Sequence, residues 1–108
     1  MTMIKTKKVL LDLDDNPIIL DPESKTPATV GKVVAFILQA YKGNVFQNDP
    51  LKVLELARSF YKKDEVDLDK SDFTKLQEVV KAEQRFGPIV LGQLVEVFQD
   101  ALASDASK

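Results

Sequence analysis

The chain of 108 residues contains no cysteine, no histidine and no tryptophan. Without cysteine there is neither a disulfide framework nor thiolate chemistry. Without histidine the side chain that titrates most readily near neutral pH is missing, which excludes serine triads, Cys–His pairs and histidine-ligated zinc. Arginine occurs twice, as Arg58 and Arg85, so the bidentate recognition of phosphate or guanine that leans on arginine has little to draw on. The formal net charge is −2, which gives no overall pull toward nucleic acid. No apolar run approaches the roughly 18 residues needed to span a bilayer. The basic start MTMIKTKK is followed by no signal-peptide core. These absences lead to the expectation of a cytoplasmic protein with no membrane association, and one for which nucleic acid is a disfavoured partner.

What is present reads as one mainly helical domain over residues 1–108. Residues 4–13 are apolar or β-favouring, and residues 17–20 repeat that character after Asp14, Asp15 and Asn16. These three residues bond their own backbone and tolerate positive φ, so residues 4–20 read as a β-hairpin. Residues 21–28 form a polar loop with two prolines. Thr29 is a suitable N-cap, and Val30, Val33, Val34, Ile37, Leu38 and Tyr41 follow at helical spacing toward a C-cap at Gly43, a helix over 29–42. Asn48 or Asp49, followed by Pro50, opens a second helix over 50–62, with Leu51, Leu54, Ala57, Phe60 and Tyr61 as its apolar set, supported by Val53 and Leu56. Val66 to Leu68 is a brief extended piece. Asp69 or Ser71 caps a helix over 70–86 that buries Phe73, Leu76, Val79 and Val80. Pro88 starts a last helix to 103, and residues 104–108 should fray. The fold class is therefore α+β, mainly α: an N-terminal hairpin on a compact bundle of four helices.

Two stretches imitate catalytic or metal sites. In VLLDLDDNPIIL, Asp12 and Asp14 have the spacing of the nucleophile and general acid of a haloacid-dehalogenase-type phosphatase. That chemistry needs a central parallel strand, a Gly-Thr-type continuation and a helix, whereas here Pro17 and a second strand follow. Asp67 to Glu78 carries acidic or hydroxyl residues at calcium-loop positions 1, 3, 5 and 12. However, Asp72 occupies position 6, which calls for glycine, and helical spacing already runs through the segment. Hairpin turn and helix cap are the readings favoured, with no metal, no cofactor and no catalytic residue assigned.

Several motifs together resemble a group of small proteins from tailed-phage and prophage genomes: VLLDLDDNPI, TVGKVV, DPLKVLELARSFY, DEVDLDKSDFTKLQEVV and LGQLVEVF. Members of that group carry a "DLDG-P" hairpin, a "TVG" helix start, a "KxxxLAxxxY" helix and an "xxLDxxDxxxL" helix start. The match covers most of residues 7–102, and the chain departs from it at Asp15, where the turn often has glycine. The resemblance implies a phage-related origin and no particular mechanism.

The function expected is that of a non-enzymatic module that binds another protein of the phage or its host, or a second copy of itself. It would act as a morphogenesis helper such as a tail-assembly factor, or as a modulator of a host protein. The last helix is apolar over more than half its circumference, so it is either central to the domain, the position favoured, or half used by a partner. Contacts with a partner are expected on the hairpin edge and on that helix at Val90, Leu94, Val97, Phe98 and Ala101. The alternatives are a small magnesium-dependent phosphatase using Asp12 and Asp14, and a nucleic-acid-binding accessory.

Overall fold

A computed structural model of the chain describes residues 2–41, 45–46, 49–83 and 86–106. The element order is β1 (Thr2–Lys5), β2 (Ile19–Asp21), β3 (Thr26–Pro27), α1 (Val30–Gln39), α2 (Pro50–Lys62), β4 (Glu65–Leu68), α3 (Lys70–Ala82) and α4 (Pro88–Ala106). The class is α+β, mainly α.

Each helix start follows from local chemistry. The Thr29 hydroxyl accepts from the Lys32 amide, the Asp49 carboxylate from that of Lys52 at 3.1 Å, and the Asp69 carboxylate from that of Asp72 at 2.7 Å. These side chains occupy amides that have no partner within their own helices. Pro50 and Pro88 stand at the first helical positions, where a missing N–H costs nothing.

The helix ends differ from the sequence expectation. α1 stops at Gln39, three residues early, because Tyr41 donates its amide to the Leu38 carbonyl and takes the Val45 amide on its hydroxyl, turning the chain away. α3 ends at Ala82, capped at Glu83, instead of reaching residue 86. α4 continues to Ala106, past the expected end at 103. The capping expected of Gly43 and Asn48 lies outside the described residues, as does the fraying expected at 107–108.

The N-terminal segment divides. Its first part, β1, does not join the hairpin but pairs antiparallel with β4, in the register Thr2 to Leu68 and Ile4 to Val66 on the buried face. The brief extended piece at Val66 is therefore the partner of the strand that begins the chain. The hairpin proper is short: a bridge joins Leu11 and Pro17, and β2 pairs onward with β3 through a register irregularity. Leu10, Ile18 and Ala28 meet in a closed ring of backbone bonds. Leu10 donates to Ala28 at 2.8 Å, Ala28 to Ile18 at 2.7 Å and Ile18 to Leu10 at 2.9 Å. Each segment satisfies the next.

Between these two pieces Thr6 is the junction. It is 2% exposed. Its hydroxyl donates to the Lys63 carbonyl after α2, its amide to Asp64 before β4, and its carbonyl accepts from Gly31 in the first turn of α1. Gly31 has to be glycine for steric reasons. A Cβ there would stand 2.2 Å from the Phe60 carbonyl oxygen and 2.8 Å from Thr6 Cβ, distances at which α1 and α2 could no longer touch as they do.

One core joins all four helices and β1 with β4. Ile4, Leu10, Val30, Val33, Val34, Ile37, Leu38, Phe60, Leu76, Val80, Leu94 and Phe98 are its fully enclosed large side chains. Phe73 and Phe98 close it edge to face at 5.7 Å. Phe46, which carries no sequence signal for burial because it lies in a connection, is 4% exposed and meets Tyr41 edge to face.

Candidate functional site

The aspartates of the opening turn have a structural occupation. Asp12 Oδ1 accepts from the amides of Asp14 (2.9 Å) and Asn16 (3.0 Å), while its backbone amide bonds the Asn16 carbonyl. This is a side-chain-capped turn. Asp15 completes it at φ 61°, a left-handed conformation that glycine adopts freely and aspartate tolerates. Asp14 is exposed.

Asp67 to Glu78 is likewise cap and helix, since α3 runs through the would-be loop from Lys70. Asp72, at the position where a loop needs glycine, instead holds Lys52 of α2 at 2.6 Å and ties the two helix starts together. That contact raises the Lys52 pKa, with the hydrogen bond to Asp72 as the leading cause. Among the described residues no group of three or more metal-ligating acidic side chains comes together.

The contact surface expected on the last helix is corrected. Leu94, Val97 and Phe98 are 0%, 8% and 1% exposed, and Val90 and Ala101 are half-buried against the same core. α4 packs on β1 and α3 and uses its apolar side within the domain. Burial of each large side chain contributes about 1.5–3 kcal/mol to the fold, so the stripe that looked available for a partner is spent on folding. The hairpin is fastened to α4 by a residue without any sequence signal, Gln93. Its amide oxygen accepts from Leu11 N–H at 2.9 Å and its Nε2 donates to the Leu11 carbonyl at 2.7 Å. The side chain mimics a strand neighbour. Beyond it, Leu13 stands 85% exposed at the turn.

The exposed apolar surface lies instead on α2, and here too expectation is reversed. Of the apolar set read from its spacing, Phe60 is buried together with Leu56, but Leu51, Leu54 and Tyr61 are 61%, 43% and 61% exposed. α2 has two apolar stripes, and only one faces the core. The other borders a groove of about 660 Å³ between α1 and α2. Ala35, Leu38 and Phe46 form its buried floor, Val53 and Ala57 its half-buried wall, and Leu54, Tyr61 and Pro50 its exposed lip. Polar groups are restricted to the rim: Gln39 and Asp49 on one part, Arg58 and Lys62 on another. An apolar trough with charge only at its margin can take a hydrophobic side of another molecule and orient it by charge.

No protein-family model, curated protein or solved structure matches this chain. No helix among the described residues is long and apolar enough to cross a membrane.

Proposed function

We propose that the chain is a non-enzymatic protein-interaction module of the tailed-phage and prophage kind, acting in the bacterial host cytoplasm by docking a helical segment of a protein in the groove between α1 and α2. The observation that carries this reading is the second apolar stripe of α2. Leu54 and Tyr61 stand exposed beside a concave apolar floor, with Leu51 exposed further along the same helix, which is already anchored by Leu56 and Phe60. Helix-in-groove recognition uses this combination of a preformed trough and anchor side chains spaced one turn apart. The phage-related origin rests on the resemblance of the sequence motifs alone. A morphogenesis helper and a modulator of a host protein would use the same surface. The rival, a magnesium-dependent phosphatase, loses support because Asp12 Oδ1 already serves two backbone amides and the chain after Asp14 turns back antiparallel.

The test is affinity capture from a bacterial lysate with the tagged chain and with Leu54→Glu and Tyr61→Ala, both exposed positions at which the fold should survive. Circular dichroism verifies the helices. Proteins held by the parent and lost by both variants are the expected result. Retention of the same proteins by both folded variants would place docking elsewhere and end this reading.

A further inference from the structure

The exposed side of α2 is complementary to itself. Leu51, Leu54, Arg58 and Tyr61 follow at spacings of three, four and three, the seam spacing at which two helices pair along their length, and all four are exposed. The charges beside this seam are sorted by end. Asp49 and Glu55 lie toward its start, where the one cation, Lys52, is engaged by Asp72 of α3, and Arg58 and Lys62 lie toward its finish. We infer that the occupant of the groove is α2 of a second copy of this chain, lying antiparallel across a two-fold axis near the middle of the helix. The inference rests on the groove being a protein-docking surface.

A two-fold axis brings every patch against its own reverse. The acidic half of one α2 then lies over the basic half of the other, Leu51 stands opposite Tyr61, and Arg58 reaches Glu55 of the copy from both sides of the axis. The helix dipoles oppose one another, which also favours this direction. Parallel pairing would set Arg58 on Arg58 and Glu55 on Glu55. A charged residue within an apolar seam reduces affinity but fixes direction and register, since only one alignment gives it a partner. The contact is short: α2 has 13 residues, about 20 Å of helix. With the α1 wall it reaches the small class of interface, of order 1,000 Å² in total, which corresponds to a reversible, concentration-dependent dimer.

Sedimentation equilibrium on the purified full chain tests this without any other partner. The weight-average mass should rise from 12.1 kDa toward twice that value across the micromolar range. Glu55→Arg and Arg58→Glu should each weaken association by about tenfold or more, because each sets like charges together. The double variant should regain the parent affinity to within about threefold, since the pair is only exchanged. Leu54→Glu should abolish the dimer with unchanged helicity. A mass of 12.1 kDa at every concentration up to about 1 mM, a dimer indifferent to Leu54→Glu, or a double variant no better than the singles would each overturn the inference. A chain that stays monomeric yet loses captured proteins through Leu54→Glu would retain its docking groove and lose only the second copy as its occupant.

Discussion

Replacing Gly31 by alanine sets two effects of opposite sign against each other. Within a helix, alanine is favoured over glycine by up to about 1 kcal/mol. Against this, the new methyl would lie 2.2 Å from the Phe60 carbonyl oxygen, a backbone atom, and 2.8 Å from Thr6 Cβ. Neither neighbour can swing away as the end of a flexible side chain would. Relief requires α1 to move off α2, which lengthens the 2.9 Å bond from the Gly31 amide to Thr6. Overpacking of this kind costs about 1–3 kcal/mol, and the weakened hydrogen bond adds about 1 kcal/mol. Gly31→Ala should therefore be less stable by about 1–3 kcal/mol net. For a chain of this length that lowers Tm by roughly 4–12 °C, with an unfolding entropy of about 2.1 cal/mol/K per residue. The internal control is Gly92, also helical, where a Cβ meets nothing within 4 Å. Gly92→Ala should be neutral or stabilising by up to about 1 kcal/mol. Urea and thermal unfolding followed by far-ultraviolet circular dichroism measure both. If Gly31→Ala equals or exceeds the parent in stability, the close approach of α1 to α2 is not what glycine is there to permit.

Three further outcomes follow from the same geometry. Asp12→Ala removes the acceptor of two turn amides and should cost about 0.5–2 kcal/mol, whereas Asp12→Asn keeps an oxygen there and should stay within about 0.5 kcal/mol of the parent; equal losses in chemical denaturation would refute the capping role. Gln93→Ala removes both bonds to Leu11 and should speed amide exchange at Leu11 and in the turn beyond it, with exchange in α3 unchanged; unaltered protection would show that the hairpin is held otherwise. The Lys52 pKa is raised above 10.5 by Asp72, so the ion pair stabilises the fold at neutral pH, and its contribution is lost as pH rises through the elevated folded-state value. Because the Lys52 side chain is 38% exposed, that contribution is under about 1 kcal/mol. The stability gap between parent and Lys52→Met should narrow from roughly pH 9 to pH 12, and a widening gap would reverse the assigned sign.

Local chemistry was legible in the sequence and long-range choice was not. Thr29, Asp49 and Asp69 announce their helices because a cap acts within three residues. The turn at Asp12 to Asn16 is readable for the same reason. The pairing of β1 with β4 has no local signature: Thr2–Lys5 alternates much as a hairpin strand would, and only the engagement of Thr6 by α1, α2 and Asp64 diverts it. Helical spacing identified apolar stripes on α2 and α4 but could not say which would be enclosed. On α4 the stripe through Leu94 and Phe98 went into the core. On α2 the stripe through Leu51 and Tyr61 stayed outside, because Leu56 and Phe60 already fill the space against α1. The groove was invisible beforehand, since a concavity belongs to two helices at once. Gln93 was missed because a lone half-buried glutamine has no periodicity to betray it.

The pairing of Thr2 with Leu68 also sets a timetable. Synthesis delivers β1 before β4, its strand partner among the described residues, which follows some sixty residues later, roughly 3–12 s at synthesis rates of about 5–20 residues per second. Throughout that interval Ile4 has no Val66 to cover it and the strand offers a bare edge to any other extended chain. Lys5 at the end of the strand and Lys7 and Lys8 just after it, all exposed in the finished fold, are the type of residue that discourages edge-to-edge association. Lysines at and beside β1 thus disfavour wrong pairing of this strand until Val66 covers Ile4.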